Sequence, residues 1–257
     1  MSLIGATLLA FGTLEAAIAT SFISTSSGQI GTIDSSTATF DPIFDTPPFL
    51  DIGINSQNDL FGVASGSLYS VDLNTQMTAF IGNTEASLNS LGFDDTDVLY
   101  GTGSNGFYTI DLATGAASLV SNISGFNSSG DLAYDSTQEQ FFATSGDFNP
   151  NTTDLLWSIQ KDGTATFIGE LGFGNVFGLF FENDTLLGYT ENRQQIFINP
   201  ITGAGTLAGT VTGGTGLIFG AASSSSPTTA VAEPASVLGL MVIGVLGCGG
   251  LLKRKLS

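Results

Sequence analysis

The chain contains no histidine, one cysteine, one tryptophan and only five basic residues among 257. Each shortage closes off some chemistry. Without histidine there is no Ser-His-Asp triad, no His-ligated zinc and no imidazole acid–base work. The single cysteine, Cys248, rules out an intramolecular disulfide and a thiolate metal cluster. Set inside an apolar run, it reads as a small hydrophobe. Only 11% of residues are charged, too few for a set of charged amphipathic helices. Three of the five bases, Lys253, Arg254 and Lys255, fall in the last five positions, which leaves Lys161 and Arg193 as the only cations of residues 20–222. The net charge is −18. Such a field repels nucleic acid and anionic headgroups and favours cations or cationic partners, so no nucleic-acid partner is expected.

What the chain has in quantity is glycine, 34 residues, and phenylalanine, 20, within a 42% hydrophobic composition. That combination describes short strands, tight turns and a well-filled core, and makes all-β the expected class.

The body repeats. An alternating aromatic–aliphatic strand ending in a polar turn recurs as Leu68-Tyr69-Ser70-Val71-Asp72, Phe107-Tyr108-Thr109-Ile110-Asp111, Leu156-Trp157-Ser158-Ile159-Gln160 and Ile196-Phe197-Ile198-Asn199, with a fifth copy at Ile30-Gly31-Thr32-Ile33-Asp34. The spacing between the aliphatics at 33, 71, 110, 159 and 198 is close to that of propeller blades, and the one longer interval contains the polar insertion 146–153. In four copies an Asp or Asn is followed three residues later by Thr (Asp34/Thr37, Asp72/Thr75, Asp111/Thr114, Asn199/Thr202), as expected of an Asx residue closing a turn on backbone N–H groups. Strand pairs precede each marker, giving four strands per unit, with complete units starting near Leu50, Leu88, Gly130 and Gly174. The segment 216–220 is an innermost strand alone, and residues 20–41 supply the other three strands of a blade. The prediction is a five-bladed β-propeller over residues 20–222, closed by a composite blade from both ends of the body.

The flanks carry a different message. Residues 3–12 are apolar and are followed by Ala17-Ile18-Ala19, a small-x-small pattern that signal peptidase cuts, so residues 1–19 read as an N-terminal signal helix. Residues 223–232 form a Ser/Thr/Pro linker. Then come Glu233-Pro234, an uncharged run 235–252 and Lys253-Arg254-Lys255. Eighteen helical residues rise about 27 Å, enough for a transmembrane helix, and the basic cluster is a cytoplasmic stop that leaves the acidic body on the far side. This tail resembles the sorting signal of PEP-CTERM proteins, with Ala232 where the family has its first proline. The resemblance implies export, recognition by an exosortase-like membrane enzyme that processes near Glu233 and Pro234, and delivery to the cell surface or extracellular matrix, where an exopolysaccharide is a candidate partner. The alternative is a permanent single-pass anchor.

The body also resembles degenerate propeller repeats of uncharacterised exported proteins and quinoprotein-like propellers. Quinoprotein repeats end in a Trp that stacks between blades, whereas Trp157 lies inside a strand, so no quinone cofactor is expected. The remaining chemical candidates are few. Asp94-Asp95-Thr96-Asp97 is the densest acidic site and the one place for a weak calcium expectation. A glycosidase would need two carboxyls at the propeller channel, and Asp51 and Asp131 are the nearest candidates. A lectin-like module would use Tyr69, Tyr108 or Trp157, residues that fit equally well as interblade core. The expectation from these features is a noncatalytic, exported structural or interaction protein without a resident cofactor.

Overall fold

The computed structural model describes residues 20–224, and these form a five-bladed β-propeller of four-stranded antiparallel sheets. Blade 1 is composite: β20 (Ile218–Ser223) is innermost and pairs with β1 (Ser21–Thr25), followed by β2 (Gln29–Asp34) and β3 (Thr39–Asp45). Blade 2 is β4 (Asp51–Ile54), β5 (Leu60–Ala64), β6 (Ser67–Asp72) and β7 (Met77–Asn83). Blade 3 is β8 (Gly92–Phe93), β9 (Leu99–Gly103), β10 (Gly106–Ile110) and β11 (Ala117–Asn122). Blade 4 is β12 (Ser128–Asp135), β13 (Gln140–Ser145), β14 (Leu155–Gln160) and β15 (Ala165–Glu170). Blade 5 is β16 (Val176–Glu182), β17 (Thr185–Thr190), β18 (Gln194–Ile198) and β19 (Gly205–Thr210).

The closing register runs Phe22↔Ala222 and Ile23↔Ala221, so strands about two hundred residues apart complete one sheet. Both edges of the closing seam are pinned again at Ser224, whose N–H donates to Thr20 O at 3.0 Å. The sequence placed the closing strand at 216–220; it lies slightly later, because Gly216 takes a left-handed conformation (φ 85°) over Ser26 and Ser27 and ends a turn rather than starting a strand. Blade 3 departs most from the regular unit, with an innermost strand of two residues.

Period-2 alternation puts apolar side chains on both faces of the middle strands, and these meet between blades rather than in one central core. There are five such seams. Ile52, Leu60 and Val71 of blade 2 pack with Phe22 and Ile30 of blade 1, while Phe61, Val63 and Leu68 on the other face of blade 2 meet Leu91, Leu99 and Ile110 of blade 3. Phe107 and Tyr100 pack with Phe141 and Ile159, Phe142 and Leu156 with Leu179 and Ile196, and Leu187 and Tyr189 with Ile23 and Ile33. The outermost strands carry exposed Phe80, Leu119, Phe167 and Leu207.

Because strands alternate in direction, the ring has two dissimilar faces. One carries the turns between first and second and between third and fourth strands. There Asp34, Asp72, Asp111 and Asn199 each accept N–H bonds from the residues two and three positions on, the Asx role expected of them. Most of the carboxylates lie on this side, as do Thr20 and Ser224. The other face carries the turns between second and third strands and the connections between blades, rich in Ser, Thr, Asn and Gly.

Candidate functional site

The innermost strand of a blade is an edge, and its axis-facing N–H groups need partners from outside the sheet. In this ring two side chains supply them. At one level of the axis the four longer innermost strands and the segment leading into β8 place Asp51, Asp131, Gly178, Gly220 and Ser90, and the N–H of each following residue points inward. Asp51 accepts from Ile52 (2.7 Å) and Leu91 (2.6 Å). Asp131 accepts from Leu132 (2.5 Å), Leu179 (2.5 Å) and Ala221 (3.2 Å). Two carboxyl groups therefore tie down one backbone amide from every blade. Glycine at 220 is what leaves room for Asp51, since a Cβ there would fall 2.6 Å from the Asp51 Cα; a Cβ on Gly178 would instead press on Ala221 and Tyr189.

Asp51 and Asp131 are also within hydrogen-bonding reach of each other. Burial raises both carboxyls; Asp131 is pushed up to about 7 against the pull of its three amides, and Asp51 well above the usual carboxylate range by burial and by the charge of Asp131. Such a pair holds one proton between its members. The sequence singled out these two residues as a glycosidase pair. The structure does bring them together, but at 0% and 1% exposure and with their oxygens committed to the backbone.

The acidic cluster 94–97 is likewise engaged. Lys161 bridges Asp94 (3.0 Å) and Asp95 (2.7 Å) and lies 5.0 Å from the centre of the Tyr134 ring, joining blade 3 to blade 4. Asp97 accepts from Ser56 N, Ser56 Oγ and Gln57 Nε2 of blade 2. Burial would raise Asp94, but the Val98 amide, Lys161 and Thr96 hold it below its ordinary value; Lys161 and Tyr134 do the same for Asp95. Interblade stitching occupies the oxygens that calcium would need, and among the described residues no group of three or more His, Cys, Asp or Glu is set to hold a metal.

The opposite face is open. A hollow of about 380 Å³ is lined by Ser65, Ser87, Asn89, Ser104, Asn127 and Ser128, with Leu50 and Phe148 at its edge. A second, of about 480 Å³, shares Asn127 and is bounded by Asp147, Thr152 and Glu170. Between them stands the 146–153 insertion, which lifts Phe148 to 53% exposure. Phe148 continues into an aromatic row, 6.2 Å from Phe177, which is 6.3 Å from Phe219. The first hollow has no charged lining residue. Its hydroxyls, amides and one presented ring suit a neutral polyhydroxylated ligand.

The aromatic residues named from sequence for a glycan lie elsewhere. Trp157 is in the blade 3–4 seam, Tyr69 is wedged between Phe49 and Phe80, and Tyr108 is half-buried beside blade 2. Phe148 was visible only as part of a turn-rich insertion. The processing and sorting residues Ala17, Ala19, Glu233, Pro234, Lys253, Arg254 and Lys255, and the predicted helices that contain them, lie outside the described residues.

No family model matches the chain, and no curated protein does. Solved structures do. A chain of a nidogen–laminin complex superposes with a TM-score of 0.60 at 10% identity, covering 81% of this chain and 99% of the other. A symmetrical protein described for its de novo evolutionary emergence gives 0.53 at 17% identity, with 79% and 97% covered. A structural-genomics protein of unknown function from Bacteroides thetaiotaomicron gives 0.52 at 12% identity, with 81% of this chain and 63% of that chain covered. At these identities the likeness is one of fold.

Proposed function

We propose that the protein is an exported, noncatalytic propeller of the cell surface or extracellular matrix, of the PEP-CTERM kind, whose role is interaction through the face opposite its chain ends. The observation that carries this reading is the difference between the faces. Thr20 and Ser224 meet on the acidic, internally cross-linked side, so a tail continuing from Ser224 starts there. The uncharged hollow with Phe148 at its edge opens on the other side. Glu233-Pro234, the apolar run 235–252 and the basic cluster support sorting and processing by an exosortase-like enzyme.

A neutral glycan, such as a segment of exopolysaccharide, is the ligand class whose chemistry fits the hollow. Sugar hydroxyls pair with the accessible hydroxyls of Ser65, Ser87 and Ser104, and the ring lies on Phe148. Mass spectrometry of both termini in membrane and extracellular fractions tests the sorting: a start near Thr20 and an end near residue 233 are expected. An intact Ser257 in the membrane would make the protein a permanently anchored one, and an intact Met1 in the cytoplasm would overturn export. A glycan array with wild type and Phe148→Ala tests the face, with binding expected only for wild type.

A further inference from the structure

Asp154 is the third fully buried carboxylate, and its environment is incomplete. It sits where the insertion rejoins β14. Its Oδ2 accepts from Val176 N (2.9 Å) and Ser129 Oγ (3.1 Å), but its Oδ1 has no hydrogen-bond donor. Asn175, one residue before β16, is 3% exposed and has the matching defect, an Oδ1 without a donor. Turning the amide over would not cure it, because Asn175 Nδ2 donates to Glu191 Oε2 at 2.7 Å and the exchange would set oxygen against carboxylate. Asn175 also holds a left-handed backbone (φ 52°), which fixes where its side chain starts.

The surroundings add oxygen and no cation. Asp154 Oδ1 presses on Gly146, the neighbour of Asp147, and leaves no space for a Cβ there. The loop carbonyls of Thr152 and Asn149 close over Gly174, the neighbour of Asn175; a Cβ on Gly174 would lie 2.9 Å from Asn149 O. Asp154 thus lies within reach of the charge of Asp147 on one side, and Asn175 holds Glu191 on the other. The two bases of the described chain are committed elsewhere, Lys161 to Asp94 and Asp95 and Arg193 to the carbonyls of Val211, Gly213 and Gly216. A buried carboxylate without a counter-charge is costly, and an unpartnered carboxylate oxygen with an unpartnered amide oxygen are donors that suit a hard divalent cation.

We infer that the junction between the 146–154 loop and Asn175 is a calcium-type cation site, with Asp154 Oδ1 and Asn175 Oδ1 as its protein-buried ligands and Asp147 with the loop carbonyls on its outer side. Only two of these ligands are carboxylates. A cation there ties blade 4 to blade 5 and fixes the base of the loop that carries Phe148. The inference stands independently of what the hollow binds.

The test is calorimetric titration of calcium chloride into chelator-treated protein at neutral pH and moderate salt, with melting curves in parallel. The expected result is one saturable site, a melting temperature raised by several degrees, at least a tenfold loss of affinity in Asp154→Asn, and no change in Asp97→Asn. Asn175→Asp is made together with Glu191→Gln, which restores a donor opposite the new carboxylate; the pair adds a ligand charge, should bind several-fold tighter, and guards against misreading a variant that merely folds poorly. Calcium uptake that is unsaturable, or that survives Asp154→Asn and Asn175→Ala in folded protein, overturns the site in favour of diffuse binding to the acidic face. No uptake by wild type overturns it in favour of a buried water donating to both oxygens.

Discussion

The axis and the blade 4–blade 5 junction each bury aspartate, and they use it in opposite ways. At the axis, Asp51 and Asp131 meet five backbone N–H groups and share a proton, so nothing is left for a ligand to satisfy. At the junction, Asp154 keeps one oxygen without a donor, and Asn175, the residue before the amide that Asp154 holds, has an amide oxygen in the same condition. A buried acid in a propeller channel invites a catalytic reading. What separates structure from function here is hydrogen-bond accounting: the saturated pair is framework, and the unsaturated pair is where a ligand has something to add.

The largest way to break the comparison is to remove the saturated pair. Asp131→Ala strands three buried amides at about 1–3 kcal/mol each, a loss on the order of 3–9 kcal/mol and comparable to the whole stability of a domain. The expected outcome in urea denaturation is a collapsed midpoint or no soluble ring, with Asp51→Ala, which strands two amides, milder. Gly220→Ala drives a methyl group into Asp51 and should cost about 1–3 kcal/mol by overpacking, again read from the urea midpoint.

The pair's proton gives the next test. Asp131 is raised from 3.8 to about 7 in the folded protein, so the folded state holds a proton that the unfolded chain releases across that window. Stability is therefore full below pH 4 as far as this pair is concerned, and falls as pH rises towards 7, with a slope approaching about 1.4 kcal/mol per pH unit. Melting curves between pH 5 and 7.5 should show the decline, and Asp51→Asn, which removes one of the two raised carboxyls, should make it shallower. The smallest effect is expected at the open face: Phe148→Ala, at an exposed side chain, should leave the urea midpoint within about 0.5 kcal/mol of wild type while abolishing glycan binding. A large stability loss there would mean that the aromatic row is framework as well.

The sequence carried most of the ring in its periodicity. Ile33, Val71, Ile110, Ile159 and Ile198 mark the third strand of all five blades, and the leftover strand at one end of the body matched the three at the other. The Asx turns were legible because Asp72 and Thr75 interact locally. The short β8 also falls where the unit starting near Leu88 calls for an innermost strand. Asp51 and Asp131 were identifiable as inner-strand acids, yet their purpose depends on which amides converge there. Asp154 and Asn175 went unnoticed for the same reason. Each is an ordinary loop residue until the insertion folds over Gly174 and brings the two together.

The composite blade also sets the order in which the molecule can be finished. Every seam but the last can form as the chain emerges, whereas β20 is the final strand of the ring to appear and supplies both the partner of β1 and the Ala221 amide held by Asp131. A chain cut short before residue 218 leaves the inner edge of β1 bare and the axial carboxyl one donor short. Closure therefore acts as an arrival signal: until the last blade strand has been delivered the ring remains an open, edge-exposed intermediate, and nascent chains stalled in the linker-proximal segment are the ones that should be most exposed to proteases and chaperones.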